Sequence, residues 1–252
     1  MHMNSRVLFI LGLLAIRLLH ADIMFETVTK TDGMLGLGVS DIKSRSFFKT
    51  DRSRIETSAN DALAGSISLI IITRLDLKLI WILNPDLKTY TETRIEDFRA
   101  NAQTPRDSLD VPPELNVEKT GKTKKILDKE CEEVRATMKI LSGEGSVSLN
   151  QTLWLTSDIP GYQELFGYGM KIRELGLSSG LLANNAQDNK MREFQEKVSN
   201  IYGFPMEWSL DMNMGSGDVY FTMKTNYLVT SYAGAPINNN VFDLPPDYKL
   251  QE

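Results

Sequence analysis

The feature that most constrains the fold is the segment 66–92, in which three apolar runs are separated by very short turns. The runs cover 66–75, 79–83 and 88–92, and the residues between them include an Asn-Pro-Asp sequence at 84–86. Proline fixes φ, and Asn and Asp side chains bond to the nearby backbone, so this sequence favours a turn. Strands joined by such short turns can pair only in the antiparallel sense. The segment therefore predicts an antiparallel meander.

The rest of the chain predicts more strands than helices. The strands are expected at 23–29, 44–56, 115–120, 124–127, 131–141, 146–156, 204–214 and 218–232, with turns at Gly121 and Asp128. A capping box at 93–96 predicts a short helix to about residue 103. Longer helices are expected from Asp158 to about Leu175 and over 191–202. This order indicates an α+β fold, with helices on one face of a large antiparallel sheet.

The first 21 residues have the pattern of an export signal. A positive charge at Arg6 precedes the apolar run 7–16, and Ala21 provides a small residue at the expected cleavage point. No later apolar segment reaches the roughly 20 residues that a membrane-spanning helix needs. We therefore expect residues 1–21 to be a signal peptide and 22–252 to be one periplasmic or secreted domain.

Both histidines, His2 and His20, fall inside the predicted signal. The processed chain would therefore have no Ser-His-Asp or Cys-His relay and no His-bearing zinc site. A formal net charge of −5 argues against nucleic acid, whose binding depends on Lys and Arg. The one cysteine, Cys131, has anionic neighbours and is expected to be a buried structural residue. The sequence predicts no catalytic residue, metal site or cofactor.

Aromatic residues in the apolar segments are the candidate binding residues. They would line an apolar cavity between the sheet and its helices, where methionines add adaptability. The same residues would also form an ordinary solid core, which is the commoner arrangement for such residues, and the sequence alone does not separate the two. The candidates are Trp81, Tyr90, Trp154, Phe166, Phe194, Trp208 and Phe221.

Four segments carry a resemblance to a known family. They are LDLKLIWILNPDLKTYTE at 75–92, TGKTKKI at 120–126 with Cys131 downstream, LWLT at 153–156 and FDLPPDY at 242–248. Together they resemble exported bacterial proteins grouped as a domain of unknown function, which are similar in layout to the LolA/LolB-type lipoprotein carriers. The resemblance implies a curved antiparallel sheet, or half-barrel, closed on its concave face by helices around a space for acyl chains. It implies no catalytic residue.

Three hypotheses follow from these features. The first is a non-enzymatic exported protein that binds a lipid, an acyl chain or another apolar ligand, or a lipidated protein, in a sheet-and-helix cavity. The second is a cell-envelope interaction module with a solid core. The third is a hydrolase that uses carboxylates alone, which would need two facing carboxylates about 5 to 10 Å apart in a groove.

Overall fold

A computed structural model of the chain describes residues 22–34, 37–61, 65–97, 114–142, 145–175, 177, 203–216 and 219–251. These residues form twelve strands, one α-helix and one 3-10 helix. The strands are β1 (Ile23–Met34), β2 (Leu37–Lys49), β3 (Arg52–Asp61), β4 (Gly65–Arg74), β5 (Leu79–Asn84), β6 (Thr89–Arg94), β7 (Glu114–Ile126), β8 (Lys129–Ser142), β9 (Gly145–Thr156), β10 (Phe204–Ser216), β11 (Val219–Gly234) and β12 (Lys249–Leu250). The helix α1 is Tyr162–Glu174, and the 3-10 helix is Asn239–Phe242.

All twelve strands belong to one sheet, in the order β12-β6-β5-β4-β3-β2-β1-β11-β10-β9-β8-β7. Every neighbouring pair is antiparallel except β12 and β6, which are parallel. The sheet thus consists of two meanders, β1–β6 and β7–β11, joined where β1 pairs with β11. The prediction of a large, mostly antiparallel sheet is confirmed.

The meander at 66–92 is also confirmed, as β4, β5 and β6. In the turn between β5 and β6, the Asn84 side chain accepts hydrogen bonds from the backbone of Asp86 and Leu87, both at 3.0 Å. Local side-chain chemistry therefore sets this turn, which is why the sequence alone predicts it.

Two other strand predictions were wrong. The segment 44–56 is not one strand, because the chain turns at Thr50 and Asp51 between β2 and β3. Gly121 does not end a strand, although its φ of 75° suits a turn. β7 continues through it, and the pairing with β8 is irregular between Lys119 and Thr123. Glycine in this conformation occurs both in turns and at irregularities within strands. The glycine in the sequence therefore does not distinguish a turn from a strand irregularity.

Helix α1 lies near its predicted position but begins at Tyr162, so Asp158 is not its cap. Asp158 instead pairs with Lys129 at 3.0 Å. The short helix expected from 93 is a helical turn at 95–97 as far as it is described. Residues 1–21, the rest of that short helix and the helix expected over 191–202, which includes Phe194, lie outside the described residues.

The two faces of the sheet differ sharply in charge. Residues paired across strands lie on the same face. From β4 to β8, one such row has no charged residue and consists of Ile67, Ala59, Ile42, Thr29, Tyr227, Trp208, Leu153 and Val134; it reaches a charge only at Lys119 on the outer strand β7. The adjacent row on the opposite face contains Lys43, Glu207 and Glu133. We call these the uncharged face and the charged face. Helix α1 packs on the uncharged face.

The sheet is curved, and contacts between distant strands illustrate this at one end. Asp128, in the turn between β7 and β8, bonds to the Tyr232 hydroxyl near the end of β11. Lys129 lies 6.0 Å from the centre of the same Tyr232 ring. Three strand spacings separate β8 from β11, which is about 14 Å in a flat sheet. The turn therefore reaches Tyr232 because this end of the sheet curls.

The C-terminal segment, residues 235–251, crosses the charged face. Beneath it lies an apolar cluster of Ile72, Trp81 and Leu83, to which the segment adds Leu244 and Tyr248. Phe242 is fully buried. Strand β12 continues the segment along β6, where the Lys249 backbone amide donates to the Lys88 carbonyl at 3.0 Å. The segment thus covers the apolar part of an otherwise polar face.

Candidate functional site

The strands β8–β11 carry the most apolar part of the uncharged face. Trp208 and Tyr227 are paired across β10 and β11, and their rings stack with centroids 5.4 Å apart. Burial raises the pKa of the Tyr227 hydroxyl because the phenolate would lose its hydration. The neighbouring rows on the same face add methionine and aromatic side chains, namely Met212, Met214, Phe221 and Met223. We call this set, with Trp208 and Tyr227, the apolar block.

Side chains in the apolar block are only partly buried, whereas some on the adjoining strands β8 and β9 are fully buried. Trp208, Met212, Phe221 and Met223 are all half-buried. Leu149 and Val134, from β9 and β8 in the same rows, are at most 1% exposed. A flexible, polarisable thioether adapts to irregular apolar shapes, so a half-buried Met and aromatic surface suits an apolar ligand.

The central strands β1–β3 carry a different surface on the same face. Their residues in register there are mostly Ser and Thr, which we call the hydroxyl band: Thr27, Thr29, Thr31, Ser40, Ser44, Ser46, Ser53 and Thr57. Several of these hydroxyls are paired, as in Ser44 with Thr57 at 3.1 Å. Another pair joins Thr31 to Thr225 of β11 at 3.3 Å. The small side chains of the band leave more room above the sheet than the large ones beside them.

Helix α1 covers the end of the hydroxyl band. Tyr168 bonds to Ser53 at 2.7 Å, and its ring meets Phe48 edge-on at 5.4 Å. Burial raises the pKa of the Tyr168 hydroxyl, with the bonds to Ser53 and Thr73 opposing that rise. Further along the helix, Ile172 and Leu175 pack against the cluster of Ile80, Ile95 and Leu177. The helix is thus fixed at one end of the uncharged face by both polar and apolar contacts.

The structure divides the predicted binding residues between the two faces. Trp208 and Phe221 lie on the uncharged face, in the apolar block. Trp81 and Tyr90 lie together on the charged face, under the C-terminal segment. Trp154 pairs with Glu207 and Glu133, and the Lys124 amine lies 4.3 Å from its ring centre. Phe166 is on α1, 38% exposed, and Phe194 lies outside the described residues.

Sequence reasoning missed the hydroxyl band and the charge difference between the faces. The signal for both was present as strict alternation in single strands. In β2, for example, Asp41, Lys43 and Arg45 alternate with Ile42, Ser44 and Ser46. Alternation of this kind marks a strand with two unlike faces. Recognising the shared face also requires the register between strands, which links residues far apart in sequence.

The charged face carries two adjoining grooves beside the C-terminal segment. One, of about 460 Å³, lies over β1–β4, and the other, of about 550 Å³, lies between the sheet and residues 240–246. Both are lined by Arg45 and Glu56. Glu26 bonds to Arg45 at 2.8 Å, and Glu56 bonds to Arg54 at 2.7 Å. The carboxylates of Glu26 and Glu56 are thus each hydrogen-bonded to an arginine guanidinium group.

The positive charge of Arg45 affects whether Glu26 could act as a general acid in the groove over β1–β4. Its hydrogen bond to Glu26 lowers the pKa of that carboxyl below its ordinary value. A general acid needs the opposite shift, because it must hold its proton near neutral pH. Within the described ranges, no three His, Cys, Asp or Glu side chains are grouped to hold a metal ion.

Cys131 is buried, as expected for a structural residue. Desolvation by burial raises the pKa of its thiol. The reactive thiolate is therefore disfavoured.

The family of the chain follows from residues 38–248, which match the family described as a domain of unknown function, DUF4412. The chain belongs to the DUF4412 family. The match extends from β2 to the C-terminal segment and so includes both faces of the sheet and α1. The predicted membership of a family of unknown function is confirmed. No curated protein matches this DUF4412 chain.

Two solved structures are similar to this DUF4412 chain at low identity. One is described as a putative outer membrane lipoprotein-sorting protein domain from Vibrio parahaemolyticus, with 9% identity, a TM-score of 0.31, and coverage of 95% of this chain and 97% of that one. The other is a DUF1329 family protein from Desulfovibrio piger, with 10% identity, a TM-score of 0.27, and coverage of 88% and 90%. Similarity at this level establishes no shared function.

Proposed function

We propose that this DUF4412 protein is a non-enzymatic binding protein for a lipid, an acyl chain or another apolar ligand, held on the uncharged face of the sheet. The observation that carries the proposal is the apolar block, because it combines half-buried Met and aromatic side chains that pair across β10 and β11 with no charged residue among them. An apolar chain placed there would bury apolar surface without leaving a charged group unpaired. We further propose that helices close this face, which is the concave one, around the ligand.

The cellular setting is part of the same proposal. The signal pattern of residues 1–21 supports export to the periplasm or outside the cell, with 22–252 as the working domain. In the described part of the chain, no helix combines the length and the apolar character needed to cross a bilayer. An exported carrier would take a lipid, or a lipidated protein, from one site to another.

A contact quencher tests the proposal, because the three tryptophans lie in different surroundings. The variant Trp81→Phe/Trp154→Phe keeps only Trp208, in the apolar block. The matched control Trp154→Phe/Trp208→Phe keeps only Trp81, which is 8% exposed and on the opposite face. We expect dibrominated stearic acid to quench Trp208 saturably and to leave Trp81 unchanged. Bromine quenches only on contact, so the result locates the ligand.

Two results would contradict the proposed function. Absence of saturable quenching of Trp208 would favour the interaction module with a solid core. Equal quenching of Trp81 and Trp208 would indicate non-specific partition into the protein. Mass spectrometry of the protein extracted under native conditions provides an independent check, since a carrier is expected to retain apolar molecules from the cell.

A further inference from the structure

Three methionines of the apolar block lie next to one another where β10 pairs with β11. Met212 and Met223 are paired directly, and Met214 pairs with Phe221. Met214 is two residues from Met212 on β10, so both lie on the same face. Directly paired residues have Cβ atoms about 4.5 to 5.5 Å apart, and diagonal neighbours such as Met214 and Met223 are about 7 to 8 Å apart. The three thioethers therefore share one small area of the uncharged face.

These three methionines differ from the methionines of the buried core. Met212, Met214 and Met223 are half-buried, whereas Met138 and Met206 are at most 2% exposed. Among the described residues, Met214 and Met223 belong to none of the buried apolar clusters, and Met212 packs only at the margin of one. A methionine side chain is unbranched and has three rotatable bonds. The three sulfur atoms can therefore turn toward a common point.

The surroundings of the three methionines favour a soft metal ion. Thioether sulfur is an uncharged, soft donor of the kind that selects Cu(I). Ca²⁺ and Mg²⁺ need oxygen ligands, and Zn²⁺ is held by thiolate, imidazole or carboxylate groups. Residues paired with the three methionines offer none of these groups, because on β9 and β11 they are Leu149, Val147 and Phe221. A monovalent ion also suits an area without a carboxylate.

Other soft donors are remote from solvent or from this area. Both histidines precede residue 22, and Cys131 is the only thiol of the chain. Cys131 is buried in a separate cluster with Phe25 and Met206, and burial raises the pKa of its thiol. The half-buried methionines of the apolar block are therefore the soft donors that the described uncharged face can offer to an ion from solution.

We infer that Met212, Met214 and Met223 form a binding site for Cu(I), in which each Sδ atom donates a lone pair to the ion. A site of this kind differs from the histidine-bearing metal sites that the sequence excludes. The inference goes beyond the proposed function and does not depend on it, since it requires three sulfur atoms rather than an apolar ligand.

Competition for Cu(I) between the purified protein and the chelator bicinchoninate tests the site, with ascorbate present to keep the copper reduced. We expect one equivalent of Cu(I) per chain, and X-ray absorption of the loaded protein to show sulfur ligands alone. The variant Met212→Leu/Met214→Leu/Met223→Leu is expected to lose that equivalent, because leucine has a similar volume but no donor atom. In the protein that keeps only Trp208, the same three substitutions should preserve saturable quenching by dibrominated stearic acid.

Matched controls separate these thioethers from other sulfur atoms and from loss of folding. Met138→Leu/Met206→Leu alters two buried methionines and should retain the equivalent, as should Cys131→Ala. Ag(I) is expected to displace Cu(I), whereas excess Zn²⁺ is not. If the triple variant unfolds, Met223→Leu alone carries the test, with loss of one sulfur ligand and release of copper at a lower bicinchoninate concentration.

The outcomes separate the metal site from the proposed function. Absence of a bound equivalent, or oxygen and nitrogen ligands in the absorption spectrum, would show that the site is wrong. Binding that survives the triple substitution, or that is lost in folded Cys131→Ala, would place the copper elsewhere and contradict the inference equally. None of these results bears on the apolar ligand, whose binding is judged by the quenching of Trp208 and Trp81.

Discussion

At the scale of single residues, Phe242 is the clearest anchor of the C-terminal segment. Its side chain is fully buried, and Arg74 donates to its backbone carbonyl at 3.4 Å. Replacing a buried Phe by Ala removes apolar contacts and leaves a cavity. We expect Phe242→Ala to lower the free energy of unfolding by about 3 to 5 kcal/mol, measured by urea unfolding.

The control for this prediction is Leu87→Ala in the turn between β5 and β6. Leu87 is 68% exposed, so its loss is expected to change stability by less than about 0.5 kcal/mol. Equal effects of the two substitutions would show that Phe242 does not anchor the segment.

At the scale of elements, the C-terminal segment acts as a cover for part of the charged face. Removing residues 239–252 would expose Ile72, Trp81 and Leu83 to water. We expect the truncated protein to bind the dye ANS more strongly, and a variant that keeps only Trp81 to emit at longer wavelength. Lys88→Ala is the matched control, because it removes only an exposed ion pair with Asp247, and such pairs contribute little. Unchanged emission from Trp81 after truncation would contradict the covering role.

Individual elements also show which parts of the fold can be predicted from the sequence. The turn at 84–86 was predictable because Asn84 bonds to the backbone two and three residues away. The break between β2 and β3 was missed because Thr50 and Asp51 give a weaker turn signal and the alternation continues on both sides. The candidate binding residues were chosen by type, so Trp81 and Trp208 were grouped although they lie on opposite faces. Only the register of pairing separates them.

For the whole molecule, arginine–carboxylate pairs contribute to the dependence of stability on pH. Hydrogen bonds from Arg45, Arg52 and Arg74 lower the pKa values of Glu26, Asp51 and Asp76. Such groups stabilise the folded state above their unfolded pKa of about 4, and the contribution is lost as the pH falls through the lower folded pKa. We expect the urea midpoint to be steady from pH 7 to about pH 5 and to fall below about pH 4.

The salt dependence of the urea midpoint checks the cause. Added salt screens ion pairs, so the difference between pH 7 and pH 3 should shrink at 1 M salt. A fall in the midpoint that begins above pH 6 would contradict this origin, since no carboxylate with a lowered pKa titrates there.

The pairing of β1 with β11, which joins the two meanders, affects the order in which parts of the chain fold. Within each meander, most neighbouring strands are close in sequence, so their hairpins close short loops at small entropic cost; the exception is β9 and β10, which residues 157–203 separate. The ladder between β1 and β11 instead unites residues such as Thr27 and Val229 from opposite ends of the chain. Contacts of such long range form slowly. Each half can therefore assemble early, and closure of the β1–β11 seam is the expected rate-limiting event, during which both seam strands present unpaired edges that invite aggregation.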